Sequence, residues 1–473
     1  MNTKLPKLEP ITSEWMFKFI NNYELQESLF KSYESPINIH SLDAFSRNIK
    51  EYQEILATYN FNSKIFFARK ANKFQNLITA AVANGIGVDT ASYEELKQCI
   101  DLQVSSDKLI STAAIKSRKL LELAIKNKVL LVIDNQDELD QVAQIAREYN
   151  IKAKIGIRIS GFYYEGNKLL SRFGFDIDDI ENLLQNYFTE ANEHLFNIEG
   201  FHFHLDGYST SQRGESIHQT LDLIENLNSS KTSFKFIDIG GGILMNYLRH
   251  QNEWNLFKTE LQDAVLENRE PLTYNNDGLG YTNRNGQIEG DLATYPYYNE
   301  NSKASFLKEI LDTTNDSSKA VYQRLEQLNI ELRLEPGRSL LNQVGITAAR
   351  VAHRKVDARG NHLIGLEMNM SQMKSSSADF LLDPFVSYNN PIKEAEPVEV
   401  YFTGAYCLER DILLKRKIEL PQLPEIGDTI IFVNTAGYMM HFFETEAHLF
   451  KRAQNLSVLG RKEHYTFDDF KTE

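Results

Sequence analysis

Cysteine is nearly absent: Cys99 and Cys407 are the only two in 473 residues. Two thiols cannot staple a fold, so a disulfide scaffold is excluded and the chain reads as cytoplasmic. No unbroken run of about 18 apolar residues occurs, so no membrane span is expected. The opening stretch MNTKLPKLEPITSEWMF lacks the apolar heart of a signal peptide. A surplus of positive charge is missing as well. Lys and Arg number 51 against 65 Asp and Glu, for a net charge of −14. Such a surface repels phosphate backbones and disfavours nucleic-acid partners. There is no short repeat of the solenoid kind, and no metal site is expected.

What is present is an ordinary globular composition, 42% hydrophobic and 25% charged, in a chain long enough for two domains. Short apolar runs alternate with amphipathic helical stretches. The runs are IFFA (65–68), GVD (87–89), LIST (109–112), LVID (131–134), AKIGIRI (153–159), GFHFH (200–204), KFIDI (235–239) and ELRLE (331–335). Between them lie patterns such as SYEELKQCIDL and DELDQVAQIAREY. This alternation predicts an α/β fold, a TIM-like (β/α)8 barrel over about residues 41–344. After about residue 345 strand-like stretches dominate, which predicts a mostly β domain over 345–473, joined by residues 1–40. The stretch 270–302, rich in Asn, Gly and Tyr, reads as an insertion between the last two barrel strands. Its NRNG is a hairpin former, and the segment is either a surface excursion or a lid.

Barrel active sites lie at the carboxyl ends of the strands. The sequence places Lys70, Asp89, Asp134, Arg158, His204, Gly240, Gly241, Gly242 and Glu335 there. Lys70 follows a buried-looking strand, and desolvation would lower its pKa and make it a nucleophilic amine. Three glycines after FIDI would let backbone N–H groups approach a phosphate, and Arg338 in LEPGR is a second phosphate ligand candidate. Glu335 can pair with a ring nitrogen. Together these suggest pyridoxal 5'-phosphate. Bland readings stand beside these. Asp89 and Asp134 could cap the next helices, His204 could pair with His202 in the core, and Tyr438 could be plain strand core. Cys99 reads as an inert buried thiol, and Cys407 could be another.

FFARKANK (66–73), GVDTASYEEL (87–96), SRFGF (171–175), GFHFH, DIGGGI (238–243), LEPGRSL (334–340), YFTGAYCLERD (401–411) and NTAGY (434–438) occur in that order. This series resembles the fold-type III pyridoxal-phosphate decarboxylases, the group of the diaminopimelate, ornithine and arginine enzymes, with the alanine racemase barrel as a relative. The resemblance implies that Lys70 forms the Schiff base and that His204 stacks on the ring. It implies that Gly240, Gly241, Gly242, Arg338 and Tyr438 hold the phosphate, and that Glu335 pairs with the pyridine nitrogen. Asp89 and Arg158 would support the lysine and the ring. Cys407, as proton donor, and Asp411 would reach into the partner's site in a homodimer.

Two departures from the family's pattern bear on function. The phosphate-binding serine after the second histidine is missing, since the stretch reads His204-Leu205-Asp206-Gly207, and Asp206 is expected to point away from the phosphate. The acid that holds a diamino substrate directly after the cysteine is replaced by Leu408, with Glu409 following. An apolar Leu408 cannot pair with a distal ammonium. The resulting expectation is decarboxylation of an amino acid or amino-acid derivative. A racemase or epimerase and an inactive cofactor-binding regulator remain as alternatives.

Overall fold

The computed structural model describes residues 4–227, 234–375, 380–392, 396–461 and 464–469. Strand β1 (Ile37–Ser41) precedes a parallel barrel of eight strands. These are β2 (Ser63–Ala68), β3 (Gly87–Thr90), β4 (Leu109–Ser111), β5 (Leu130–Ile133), β6 (Ala153–Ser160), β7 (Phe196–His202), β8 (Phe236–Asp238) and β9 (Glu331–Leu334). Each pairs in parallel with the next, β9 returns to β2 and β6 meets β7, so the barrel is closed. All eight runs read from the sequence are barrel strands. They are legible because a parallel strand is covered on both faces and so reads as a continuous apolar run.

Four of the helices outside the barrel begin on side-chain caps. Ser41, Ser92, Ser117 and Asn135 each accept an N–H from the first turn of the helix they precede. The capping role considered for Asp89 and Asp134 therefore belongs to Ser92 and Asn135, which leaves both carboxylates free for the barrel mouth.

Inside the barrel, side chains alternate with a period of two. Phe66, Ile110, Leu130, Val132 and Phe236 form a buried apolar cluster, with the Arg333 guanidinium stacked 3.6 Å from the Phe236 ring centroid. One step further along the strands the inward positions become Asp89, Arg158, His202 and Asp238, all buried. The floor is thus greasy and the mouth is polar.

The second sheet is built from β10 (Gly345–Val356), β11 (His362–Leu366), β12 (Phe385–Ser387), β13 (Val398–Thr403), β14 (Ile412–Leu420), β15 (Thr429–Val433), β16 (Gln454–Arg461) and β17 (His464–Asp469). It forms a mostly β domain. β1 lies within it, antiparallel to β10 and parallel to β16. The stretch after the glycine run also packs there: Tyr247, Trp254, Leu272, Leu279, Tyr295 and Tyr297 share one buried cluster with Val351, Ile364, Phe402 and Phe432. Within it, NRNG closes a small hairpin, Thr282–Arg284 against Gln287–Glu289, with Asn285 and Gly286 at positive φ.

Candidate active site

Lys70 sits in a 3-10 turn, Arg69–Ala71, immediately beyond β2. Its Nζ lies 3.2 Å from Asp89 Oδ2; the Lys70 side chain is 37% exposed and Asp89 is fully buried. Thr112 donates to the other Asp89 oxygen at 2.6 Å. Burial opposes the charge on Lys70, but Asp89 and then Glu335 outweigh it, and its pKa is raised. This reverses the depression expected from burial alone. An ammonium beside two buried carboxylates keeps its proton more tightly than one in water.

Glu335 is one residue past β9 and buried. Desolvation, then the nearby Asp89, push its carboxyl up from the usual range. Its Oε1 lies 3.3 Å from His202 Nε2, yet neither atom has a hydrogen-bond partner among the described residues. Burial holds His202 neutral, with its pKa down at about 4, and raises buried Asp238 to about 7. One ligand atom from each of His202, Asp238 and Glu335 falls within 4.8 Å of the others. Asp238 lies in KFIDI, at the start of DIGGGI. Its alternation with Phe236 and Gly240 along the strand was the available signal that it faces inward.

Alternation along β7 would put His202 and His204 on one face, but the strand stops at His202. His204 lies beyond it, and its Nδ1 accepts the Gly241 N–H at 3.1 Å. Burial holds this ring neutral too. Gly240 and Gly242 adopt φ of +65° and +77°. A Cβ on Gly240 would strike the His204 ring, and one on Gly242 would overlap the Arg213 guanidinium. Only glycine permits this close, side-chain-free bend.

Arg338, just beyond β9, donates to Gly437 O at 3.2 Å. Its guanidinium is 4.4 Å from the Tyr295 ring centroid and 5.1 Å from that of Tyr438. Tyr438 is in a turn at φ +70°, beyond β15, and not in the apolar strand considered for it. Its N–H donates to Ala71 O at 2.8 Å, which ties it to the Lys70 turn. Arg158 reaches Asp134 at 3.5 Å and stacks on Phe173 of SRFGF. Tyr295 came to the site with no local signal, since its neighbours in sequence are an Asn-rich loop.

Cys407 is exposed, on the loop joining β13 to β14. Asp411 is buried, and its two oxygens accept the N–H groups of Met370 and Tyr406, each at 2.7 Å. The substrate role expected of Asp411 therefore meets a carboxylate already engaged in shaping the cysteine loop. Glu409 and Leu408 are exposed on that loop. Cys99 is buried, and burial raises its thiol to about 11, which leaves it unreactive. Asp206 is exposed and turns back onto the Gly207 N–H. Among the described residues no helix is long and apolar enough to cross a membrane.

The residues fit pyridoxal phosphate. A side-chain-free glycine bend lies against the Arg213 guanidinium, an amine stands at the barrel mouth, and the buried Glu335 carries an oxygen with no partner among the described residues. Fold and site together define a barrel enzyme of the pyridoxal-phosphate class. Residues 42–278 match the family described as pyridoxal-dependent decarboxylase, pyridoxal binding domain, and the chain belongs to that family. Class and cofactor follow from membership: a pyridoxal-phosphate-dependent amino-acid decarboxylase. An uncharacterised protein of Sinorhizobium fredii is 27% identical over 417 residues, covering 88% of this chain and 85% of that one. The diaminopimelate decarboxylase of Aquifex aeolicus is 23% identical over 456 residues, covering 93% and 90%. The crystal structure of the Helicobacter pylori diaminopimelate decarboxylase with L-lysine shares the fold, with a TM-score of 0.66 at 18% identity, covering 93% and 95%.

Proposed function

We propose that the protein decarboxylates an amino acid, or a derivative of one, with Lys70 as the cofactor's amine and Cys407 as the proton donor. The observation that carries this reading is the Lys70–Asp89 pair standing with Glu335 at the carboxyl ends of three adjoining strands, β9, β2 and β3. Gly240, Gly241, Gly242, Arg338 and Tyr438 would hold the phosphate, His204 would cover the ring and Arg158 would brace it. When bound, the cofactor withdraws electrons from the substrate's α-carbon and so lets the carboxylate leave as carbon dioxide.

The chain's own residues do the rest. Lys70 must be neutral to act as an amine nucleophile, and Asp89 and Glu335 set how tightly it holds its proton. Glu335, buried and pushed towards its protonated form, would pair with the ring nitrogen of the bound cofactor. Cys407 Sγ delivers a proton to the α-carbon and is recharged from solvent, to which it is open. The loop that carries it serves the site of a second copy, so the working unit is a homodimer with shared active sites. Leu408 offers nothing to a distal ammonium, so the substrate is a monoamino acid or one whose distal amine is masked. With Asp411 engaged, Glu409 is the acid left on this loop to meet a polar substrate end.

The test compares wild type with Lys70→Ala after loading with pyridoxal phosphate and removal of the excess. A visible absorption band in the wild type alone, and carbon dioxide release from an L- or D-amino acid panel that the variant abolishes, are expected. Identical spectra in the two proteins would remove Lys70 from its role.

A further inference from the structure

Arg213 is one of the largest fully buried side chains, at 1% exposure, and stands in the first turn of the helix Thr210–Leu227. Its Nη2 donates to the carbonyls of Leu205 (3.2 Å) and Gly207 (2.9 Å), and its Nη1 to that of Ser209 (3.3 Å). Its Nε has no partner, and no carboxylate lies within ion-pair distance, among the described residues. Buried Arg158, Arg324 and Arg416 differ, since each sits on an acid. The position is unfavourable twice over. A buried cation costs several kcal/mol unless it is paired, on the order of the ion-transfer penalty. A helix N-terminus is itself positive, by roughly half a charge, and repels a cation. Burial accordingly brings the Arg213 pKa down to about 10. Arg213 thus presents an uncompensated charge and an Nε–H without a partner among the described residues.

The guanidinium abuts the glycine bend. A Cβ on Gly242 would overlap Arg213 Nη2, so guanidinium and bend are in contact. Gly207, whose carbonyl Arg213 holds, stands where the resembling decarboxylases carry their phosphate-binding serine. We propose that Arg213 is a second phosphate-binding arginine of the cofactor site. It would supply a charged donor in place of the missing serine hydroxyl, alongside Arg338. This rests on the pyridoxal-phosphate reading above. A phosphate held at the glycine bend would compensate the guanidinium, could accept the unpartnered Nε–H, and would lie near the positive end of the helix, which favours it further. The same arrangement makes the site more demanding of the phosphate than a serine would, because without the anion the buried cation stays uncompensated.

The experiment titrates the apoprotein with pyridoxal phosphate and with phosphate-free pyridoxal, reading the visible band, for wild type, Arg213→Met and Arg213→Lys. Charge-assisted hydrogen bonds of this kind correspond to about a tenfold to hundredfold change in affinity. Arg213→Met is expected to weaken pyridoxal phosphate by that factor and to leave pyridoxal within about twofold, so the ratio of the two constants collapses. Arg213→Lys keeps the charge without the fork and falls between. The ratio is insensitive to general loosening, which weakens both ligands alike; an unchanged ratio in Arg213→Met, whatever the absolute constants, overturns the proposal. If Arg213→Met does not fold, Arg213→Lys carries the same comparison, and an unaltered ratio there is equally fatal. A wild type that forms no band with either aldehyde would instead sink the cofactor reading itself, an outcome distinct from a band with an unmoved ratio.

Discussion

Asp89 shows how a single neighbour sets the chemistry of a residue. With its carboxylate 3.2 Å from Lys70, the lysine holds its proton against the pull of burial. Removing that charge frees the amine. In Asp89→Asn, the pH midpoint for cofactor uptake is expected to fall by about one to three units, the range typical of losing an adjacent opposite charge. Following the rate of band formation against pH checks it, and a midpoint that moves upward would refute the role given to Asp89. Lys70 and its strand-end position were legible in the sequence, but its charge state was not. Burial and ion pairing act on an amine in opposite directions, and only the distance to Asp89 decides between them. The same holds for Asp411, to which the resemblance gives a task shared with Cys407. The closure of the loop instead hands both its oxygens to backbone N–H groups.

At the scale of elements, the eight barrel strands were readable because they are short, largely apolar runs alternating with amphipathic helical stretches, three of which begin on side-chain caps. The region after the glycine bend was harder to read. Its Tyr295 and Tyr297 are buried against the β domain, while the hairpin between them and Leu279 stands in solvent. The two parts are expected to respond differently. Replacing residues 282–289 with a short glycine linker should leave thermal stability almost unchanged. Tyr295→Ala should cost about 3–5 kcal/mol in a urea titration, the range for deleting a buried aromatic side chain. It should also weaken cofactor binding by taking the ring from Arg338. Equal sensitivity of the two variants would contradict this division. No local pattern foretold Arg213 either. It lies in the polar run STSQRGES, and its burial follows from the way its helix docks beside the glycine bend.

For the whole molecule, the first prediction rests on what is buried. His40, His202 and His441 are buried and held neutral, at about 3, 4 and 4. Unfolded histidine titrates near 6.5. Between about pH 6.5 and 4 the unfolded chain therefore binds protons that the native chain refuses, and stability falls as pH falls. Each such histidine contributes about 1.4 kcal/mol per pH unit across that window. Urea midpoints measured from pH 7.5 to 5 should decline accordingly, and a flat profile would contradict the neutral assignments. The second concerns shared sites. Mixing inactive Lys70→Ala and Cys407→Ala chains should restore activity to about a quarter of wild type, because half the random dimers carry one intact site. No recovery would place both residues in one chain's site. The Tyr438 turn has a further consequence. Its N–H on Ala71 O, with Asn72 donating to Ala436 O at 3.0 Å, stitches barrel to β domain beside the lysine. A cofactor held by Lys70 from the barrel and by Tyr438 from the β domain would act as a rivet across that seam. Calorimetry of the empty chain should resolve two melting events, and loading should fuse them into one, at a temperature that climbs with free cofactor concentration.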